Sequence, residues 1–572
     1  MAVTAGVPKC RGERSLPYSG AAMERTRVGR LLSATDTWVA GWSLLLAAAL
    51  LGPALAPGFV LLRDMVWVPD LTLRADVLGL GTAVPRAVPS DAIVAVMDEV
   101  VPGMVLQKIA LLGALVCAGV GYARLAPHGI APRIVVAGFA VWNPYVVERL
   151  GMGHWPLLVG YGALPWVLMA ARAHVQSRRL PAHLPLLLVV ASLSASAGLA
   201  TVVAVAAIAW RRGTVGRRLI ALALVAQGPW IAAGLAHVSV AADAGGYDLF
   251  AGNADGLPFP LAALTLGGIW NLDVVPSSRG GLLAWVAVVW LVALAAAGWR
   301  RARTSTSTEP SAVAPMVVLW CVGYGLAVVG WFAPDVIAAL GEAIPGLGVL
   351  RDSSRMLLLC VPLLAVLVGH GVLAVTSAVS ERTTRVALAA GIALVPVMTL
   401  PDAVAGLGGD LTAVDYPDPW LQARAVVPSG EGDALYLPLS NYRTPAFVGR
   451  PVTDPLPRLL TPSAVVSDDL VVSGTVIAGE DPTVMAVRKA LRLPTSDARL
   501  EALAQIGIGW VITQSDDGGL EVLQLDDVGP ASRVTGWRPW MIGIGWSAPV
   551  LLLGATVALG LRRRLKKDAS RR

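Results

Sequence analysis

Apolar runs of about 17–25 residues recur along the whole chain, and a run of that length crosses the hydrocarbon core of a bilayer as one α-helix. Such segments are expected at 38–60, 105–124, 131–147, 153–171, 183–196, 198–210, 217–237, 281–299, 313–333, 355–377, 385–401 and 541–561. The pair at 183–210 is the weakest, because each half is short and Ser192, Ser194 and Ser196 lie at its middle. A re-entrant hairpin is the alternative there. Only 15% of the 572 residues are charged and mean hydropathy is +0.66, whereas a soluble chain of this size exposes far more charge. The expected fold class is an all-α polytopic membrane protein of about 12 transmembrane helices, carrying a small extracytoplasmic α/β domain.

Basic residues orient the spans. With the N-terminus inside, the inner segments hold 27 of the 45 Lys and Arg residues and only six of the 38 acids. Arg211, Arg212, Arg217 and Arg218 share one such loop, and Arg562 to Lys567 form a basic end. The basic balance therefore reports topology and not nucleic-acid binding. This gives a cytoplasmic N-terminal tail at 1–37, a multi-span body at 38–401 with outer loops 61–104 and 238–280, an outer domain at 402–540, a last span at 541–561 and a cytoplasmic tail at 562–572. The protein is expected in the plasma membrane with both termini cytoplasmic and its first span retained. In the outer domain, 433–438 and 509–513 read as strands, and 484–493 and 497–506 as helices. Cys10, Cys117, Cys321 and Cys360 show no disulfide or metal spacing.

Ionisable groups at the outer ends of spans carry the functional signal, because a charge near hydrocarbon is costly unless paired or hydrated. Asp64 follows the first span, beside Arg63 and among Leu62, Met65 and Trp67. It reads as a general base, or as an interfacial charge with Trp67 as aromatic anchor; Asp70 and Asp76 are nearby alternatives. Ser90 is expected to cap an amphipathic helix over 91–101. Gln107 and Lys108 stand at the mouth of the second span, where Lys108 would bind a phosphate or snorkel. Residues 142–149, Trp-Asn-Pro-Tyr-Val-Val-Glu-Arg, then Gly153 and His154, read as a tight polar turn. Arg149 or His154 there would touch a diphosphate or sugar, unless the turn is only an aromatic belt. Arg351, Asp352 and Arg355 precede a long apolar span. At helical spacing the two arginines share a face and suit phosphate oxygens; the bland reading is a salt bridge with Asp352 or Asp64. Asp243, Asp248, Asp255 and Asp273, with Trp270 and Asn271, would meet an acceptor sugar or solvent. Asp468, Asp469, Glu480 and Asp481 lack specific metal spacing.

These segments resemble the GT-C superfamily of integral-membrane glycosyltransferases. The likeness lies in the acid of Leu62-Arg63-Asp64-Met65-Val66-Trp67, the 142–149 segment, Leu350-Arg351-Asp352-Ser353-Ser354-Arg355 and the multi-span body with its outer domain. The chain is similar to actinobacterial members related to the arabinofuranosyltransferases of the cell envelope, and its Ala, Val, Leu, Gly and Arg richness fits that source. The resemblance implies a polyprenyl-phosphate sugar donor entering from the membrane lipid and an envelope glycan or glycolipid acceptor, in cell wall biogenesis. It implies Asp64 as catalytic base and Arg351 and Arg355 as the phosphate-binding pair. Many members carry two adjacent acids where this chain has Arg63 and Asp64, so no metal and no cofactor are expected. The alternative is a non-enzymatic envelope-biogenesis protein: a transporter, a flippase, or a degenerate GT-C protein that binds glycolipid. A transporter should carry charge near the bilayer midplane, where only His370 and Gln227 are polar here.

Overall fold

The computed structural model describes residues 34–238, 246–304, 310–344, 346–428, 430–472, 475–477, 479, 481–515 and 519–569. Most of the tail at 1–37, together with Asp243 and Glu480, lies outside the described residues. Within them, eight helices are long and apolar enough to cross a membrane: Ala34–Leu55, Gly103–Leu125, Ile130–Gly151, Trp155–Ser177, Leu282–Arg303, Val313–Phe332, Ser353–Ser377 and Arg538–Arg562. A 23-residue helix is about 35 Å long, enough for the hydrocarbon core.

The remaining expected spans are bent or short. Gly213–Val225 and Gly228–Ala236 meet at 60°, around the fully buried Gln227. Arg382–Thr399 is followed at 71° by Pro401–Gly408. That second piece contains Ala405, Gly406 and Leu407 in the left-handed region, so it is a chain reversal and does not extend the span. Leu184–Val190 has seven residues and Ala195–Ala209 has 15. The first would reach only about 10 Å, and neither crosses alone. The twelve-helix expectation thus divides into eight clear spans and shorter or bent pieces. Where Gly228–Ala236 meets the last helix, Gly228 and Gly545 face each other. A Cβ on either would lie 2.5–2.6 Å from the other's carbonyl oxygen, so only glycine allows this approach.

The third span is broken in its middle, and the break sets up the site. Helix Ile130–Val141 stops at Trp142, and helix Pro144–Gly151 restarts at once. Asn143 accepts a hydrogen bond from the Val146 N–H (3.1 Å), with Pro144 at the first helical position; both are preferred there because the first N–H groups lack helical partners. The polar turn expected over 142–149 is therefore a capped, buried helix. The chain reverses only at Met152-Gly153-His154. Ser90 also differs from expectation. It lies inside helix Ser90–Met97 and donates to the Ala87 carbonyl, while Val96, Met97 and Val100 are exposed.

The segment after residue 401 builds a four-stranded sheet in the order Leu520–Gln524, Ile508–Gln514, Asp433–Leu437, Ala464–Val465. The first pair is antiparallel and the others parallel. Leu435 and Val511 pack with Val484, Val487 and Leu503 of helices Pro482–Leu491 and Ser496–Ile506. Ala434, Tyr436, Trp510 and Ile512 point the other way, into the core that also holds Leu61, Met65 and Trp420. Strand alternation thus gives each sheet face its own apolar layer. The contact continues through the backbone, where Phe59 and Val60 pair antiparallel with Val414 and Ala413. The loops and the 401–537 segment touch one another: Arg63 reaches the Asp273 carbonyl, Arg86 the Asp468 carbonyl, Ser277 the Asp402 carboxylate and Arg351 the Phe250 ring.

Candidate functional site

Asp64 stands at the tip of a tight turn. Leu62 and Met65 exchange backbone hydrogen bonds of 3.1 and 2.8 Å, leaving Arg63 and Asp64 as the central pair. Arg63 adopts φ +46°, uncommon for a side-chain-bearing residue, and its surroundings hold it there. Its N–H donates to the Pro451 carbonyl and its carbonyl accepts from the Thr453 N–H (2.8 Å), while the Asp64 N–H donates to Met152 (3.1 Å). The Arg63 guanidinium caps the Gly151 carbonyl at 3.0 Å. Gly153, at φ +82°, lies against this turn, and a Cβ there would sit 2.3 Å from the Met65 nitrogen. No other residue fits.

The Asp64 side chain is 41% exposed, and both carboxylate oxygens are occupied. Oδ2 lies 3.2 Å from His154 Nε2, and Oδ1 accepts a hydrogen bond from the Tyr442 hydroxyl. Partial burial alone would raise the acid's pKa, but the His154 and Tyr442 hydrogen bonds and the Arg355 charge bring it below the ordinary carboxylate value. Burial and Arg355 push His154 down, so the imidazole is neutral at pH 7. Its Nδ1 is buried without a partner among the described residues, which favours the tautomer with the proton on Nε2, donated to Asp64.

The charges of Arg355 and Arg86 act on Arg351, and Arg355 acts on Asp64 as well. Arg351 stacks on the Phe250 ring at 4.2 Å, and its guanidinium makes no ion pair or hydrogen bond among the described residues. Burial, with Arg355 and Arg86 nearby, lowers its pKa to about 10. Arg355 gives Nε to Asp352 at 3.0 Å and keeps its side chain 29% exposed. Arg86 arrives from the first loop, held by one hydrogen bond to the Asp468 carbonyl (2.7 Å), and its charge acts on both Arg351 and Tyr442. The α-helical face expected for Arg351 and Arg355 is absent, because Leu347–Leu350 and Ser353–Cys360 are 3₁₀ turns.

Two expected contact residues turn inward. Arg149 is 1% exposed and spends its guanidinium on Asp352 (2.7 and 3.3 Å) and on Ser354 Oγ (2.5 Å). Asp352 is 4% exposed; despite its burial, Arg149 and Arg355 hold its carboxyl far below the carboxylate range. Tyr145 donates to the Arg355 carbonyl at 2.8 Å. The pair Arg149–Asp352 thus supports Arg355 from behind and cannot touch a substrate. Lys108 is half-buried in the second span, its Nζ enclosed without a hydrogen-bond partner among the described residues, apart from these contacts. Gln107 bonds both backbone groups of Val60 (3.0 and 2.8 Å).

The other acids are committed elsewhere. Asp255 pairs with the fully buried Arg279 at 2.7 Å, next to Glu148, whose Oε1 is buried without a partner. Asp273 lends its carbonyl to Arg63 and its N–H to the Asn271 side chain. Asp469 holds Arg488 and the Gly479 N–H, and Asp481 caps helix Pro482–Leu491 through the Thr483 N–H. Among the described residues no three His, Cys, Asp or Glu side chains are placed to hold a metal ion. Tyr442 and Arg86 were not legible as site residues in the sequence. Tyr442 lies 378 positions from Asp64, and no local motif marks it.

No family model and no curated protein matches the chain. Solved structures similar to it include the arabinofuranosyltransferase AftD from mycobacteria, with TM-score 0.48 and 18% identity over 90% of this chain and 37% of that one. The archaeal oligosaccharyltransferase AglB from Archaeoglobus fulgidus, in complex with an inhibitory peptide and a dolichol-phosphate, follows with TM-score 0.34 and 11% identity over 88% and 77%. The chain spans little more than a third of the length of AftD.

Proposed function

We propose that the protein is a membrane glycosyltransferase that moves a sugar from a polyprenyl-phosphate donor to an envelope glycan or glycolipid on the outer face of the plasma membrane. One observation carries the reading: the exposed Asp64 carboxylate feels the charge of Arg355, and Arg355 acts in turn on Arg351, which makes no ion pair among the described residues. A lipid phosphate supplies the anion that Arg351 lacks, and Arg355 adds its two terminal nitrogens, which make no hydrogen bond among the described residues. As transfer proceeds, the bond from the anomeric carbon to the phosphate oxygen breaks and its electron pair stays on the phosphate, whose growing charge the arginines stabilise. The acceptor oxygen forms the new bond to that carbon, and its proton passes to Asp64. A carboxylate this acidic is a weak base, so the proton moves late, when the attacking hydroxyl has become acidic. Displacement from the side opposite the phosphate inverts the anomeric carbon.

The test is transfer from a polyprenyl-phosphoryl sugar to an envelope acceptor by purified protein in nanodiscs. Asp64→Asn is expected to abolish product while donor binding stays within about twofold, because the arginines are untouched. Full activity in that variant would remove Asp64 from the reaction. The glycolipid-binding alternative predicts donor binding without product in the wild-type protein as well.

A further inference from the structure

Asp64 is set by a hairpin from the far end of the chain. Strands Tyr442–Arg443 and Val452–Thr453 pair antiparallel, and the second is bridged to Arg63 by Val452. The Arg63 carbonyl accepts from the Thr453 N–H and the Arg63 N–H reaches the Pro451 carbonyl. The hairpin is fastened to the sheet in turn, since Arg443 donates to the Gln514 side chain and pairs with Asp454 at 3.7 Å. From this frame Tyr442 places its hydroxyl on Asp64 Oδ1, opposite the His154 contact on Oδ2.

We infer that Tyr442 is a positioning residue for Asp64, orienting its carboxylate toward the acceptor and making the sheet unit part of the reacting site. The role in transfer rests on the reading of Asp64 as the reacting acid; the contact itself does not. Each carboxylate oxygen has two lone-pair sites, so with one donor on each oxygen the acid still has room for an acceptor hydroxyl. Its plane is fixed by donors on two independently anchored elements, the start of helix Trp155–Ser177 and the hairpin. A carboxylate held by one donor can swing about its Cβ–Cγ bond, and a misdirected lone pair lowers the rate without changing how tightly the substrates bind. The charged or titratable groups acting on Asp64 are His154, Tyr442, Arg355 and Arg458, and only Tyr442 is changed in the test.

The experiment uses full-length protein in nanodiscs with ¹³C-labelled aspartate and reads Asp64 ionisation by isotope-edited infrared titration, with Asp64→Asn as the subtraction. In Tyr442→Phe the Asp64 midpoint is expected to move up, on the order of one pH unit, as a donor to the charged form is lost. Transfer is expected to fall on the order of tenfold in kcat with acceptor KM unchanged, and the acid limb of the rate to move up with the midpoint. An unmoved midpoint overturns the inference, as does a loss of activity whose acid limb stays in place. If Asp64→Asn keeps full transfer, the reading of Asp64 as the reacting acid fails, while the midpoint shift still stands on its own.

Discussion

Asp352 shows how a buried charge can serve a site that it never touches. It is ion-paired to Arg149 behind and Arg355 in front, so the exposed arginine is held by a buried one through a shared carboxylate. Breaking such a pair from one side leaves an uncompensated charge, which costs about 3–5 kcal/mol. Asp352→Asn would strand the buried Arg149 guanidinium without its counter-charge and is therefore expected to destabilise the protein strongly, seen as a large drop in thermal unfolding temperature. Arg351→Ala removes a guanidinium with no ion pair to lose. It is expected to leave the unfolding temperature nearly unchanged and raise donor KM by on the order of tenfold. Equal destabilisation by both variants would contradict this division. Asp64 also ties stability to pH. Its folded pKa is depressed, so its contribution is present above the ordinary value near 3.9 and is lost as pH falls through the lower folded value.

Among the elements, the break after Val141 matters most. Without the Asn143 cap and Pro144, the third span would run on as one helix and carry Arg149 to a different azimuth. Asn143→Ala is expected to cost about 1 kcal/mol, measured by chemical denaturation, with a matching loss of transfer if Arg149 then shifts; no change in either would remove the cap from the account. Gly153→Ala acts on the next turn. Its Cβ would overlap the Met65 nitrogen, so the Asp64 turn must move, and loss of activity at preserved membrane insertion is the expected result. In the sequence the 142–154 segment read as one polar turn. Its residue types were informative, but whether Asn143-Pro144 ends a span or starts a helix depends on what buries Pro144–Gly151, and that packing is non-local.

At the scale of the whole molecule, hydropathy alone found the eight long spans, and period-two patterning found both central strands, because each is a local consequence of burial in lipid or in a covered sheet. Asp64, His154, Arg351 and Arg355 were also legible, since ionisable residues beside apolar runs stand out. Arg149 and Asp352 were visible as charges but not as a pair, because burial cannot be read from spacing. Tyr442 and Arg86 were silent. They join the site only because the sheet unit docks on the first loop through Phe59–Val60 and Arg63. The core on the inner sheet face is shared with that loop, so an excised 402–537 fragment is expected to unfold or aggregate when expressed alone. A cooperatively folded, monomeric fragment would show instead that the two parts are separable.

The central claim is that Arg351 and Arg355 together hold a lipid phosphate beside Asp64. A cryo-EM structure of the protein in nanodiscs with polyprenyl phosphate tests it most directly. The account predicts the phosphate within about 3 Å of guanidinium nitrogens on both arginines, on the side nearer Asp64. A phosphate seated instead beside Lys108, with Arg351 still stacked on Phe250 and facing nothing, would contradict it.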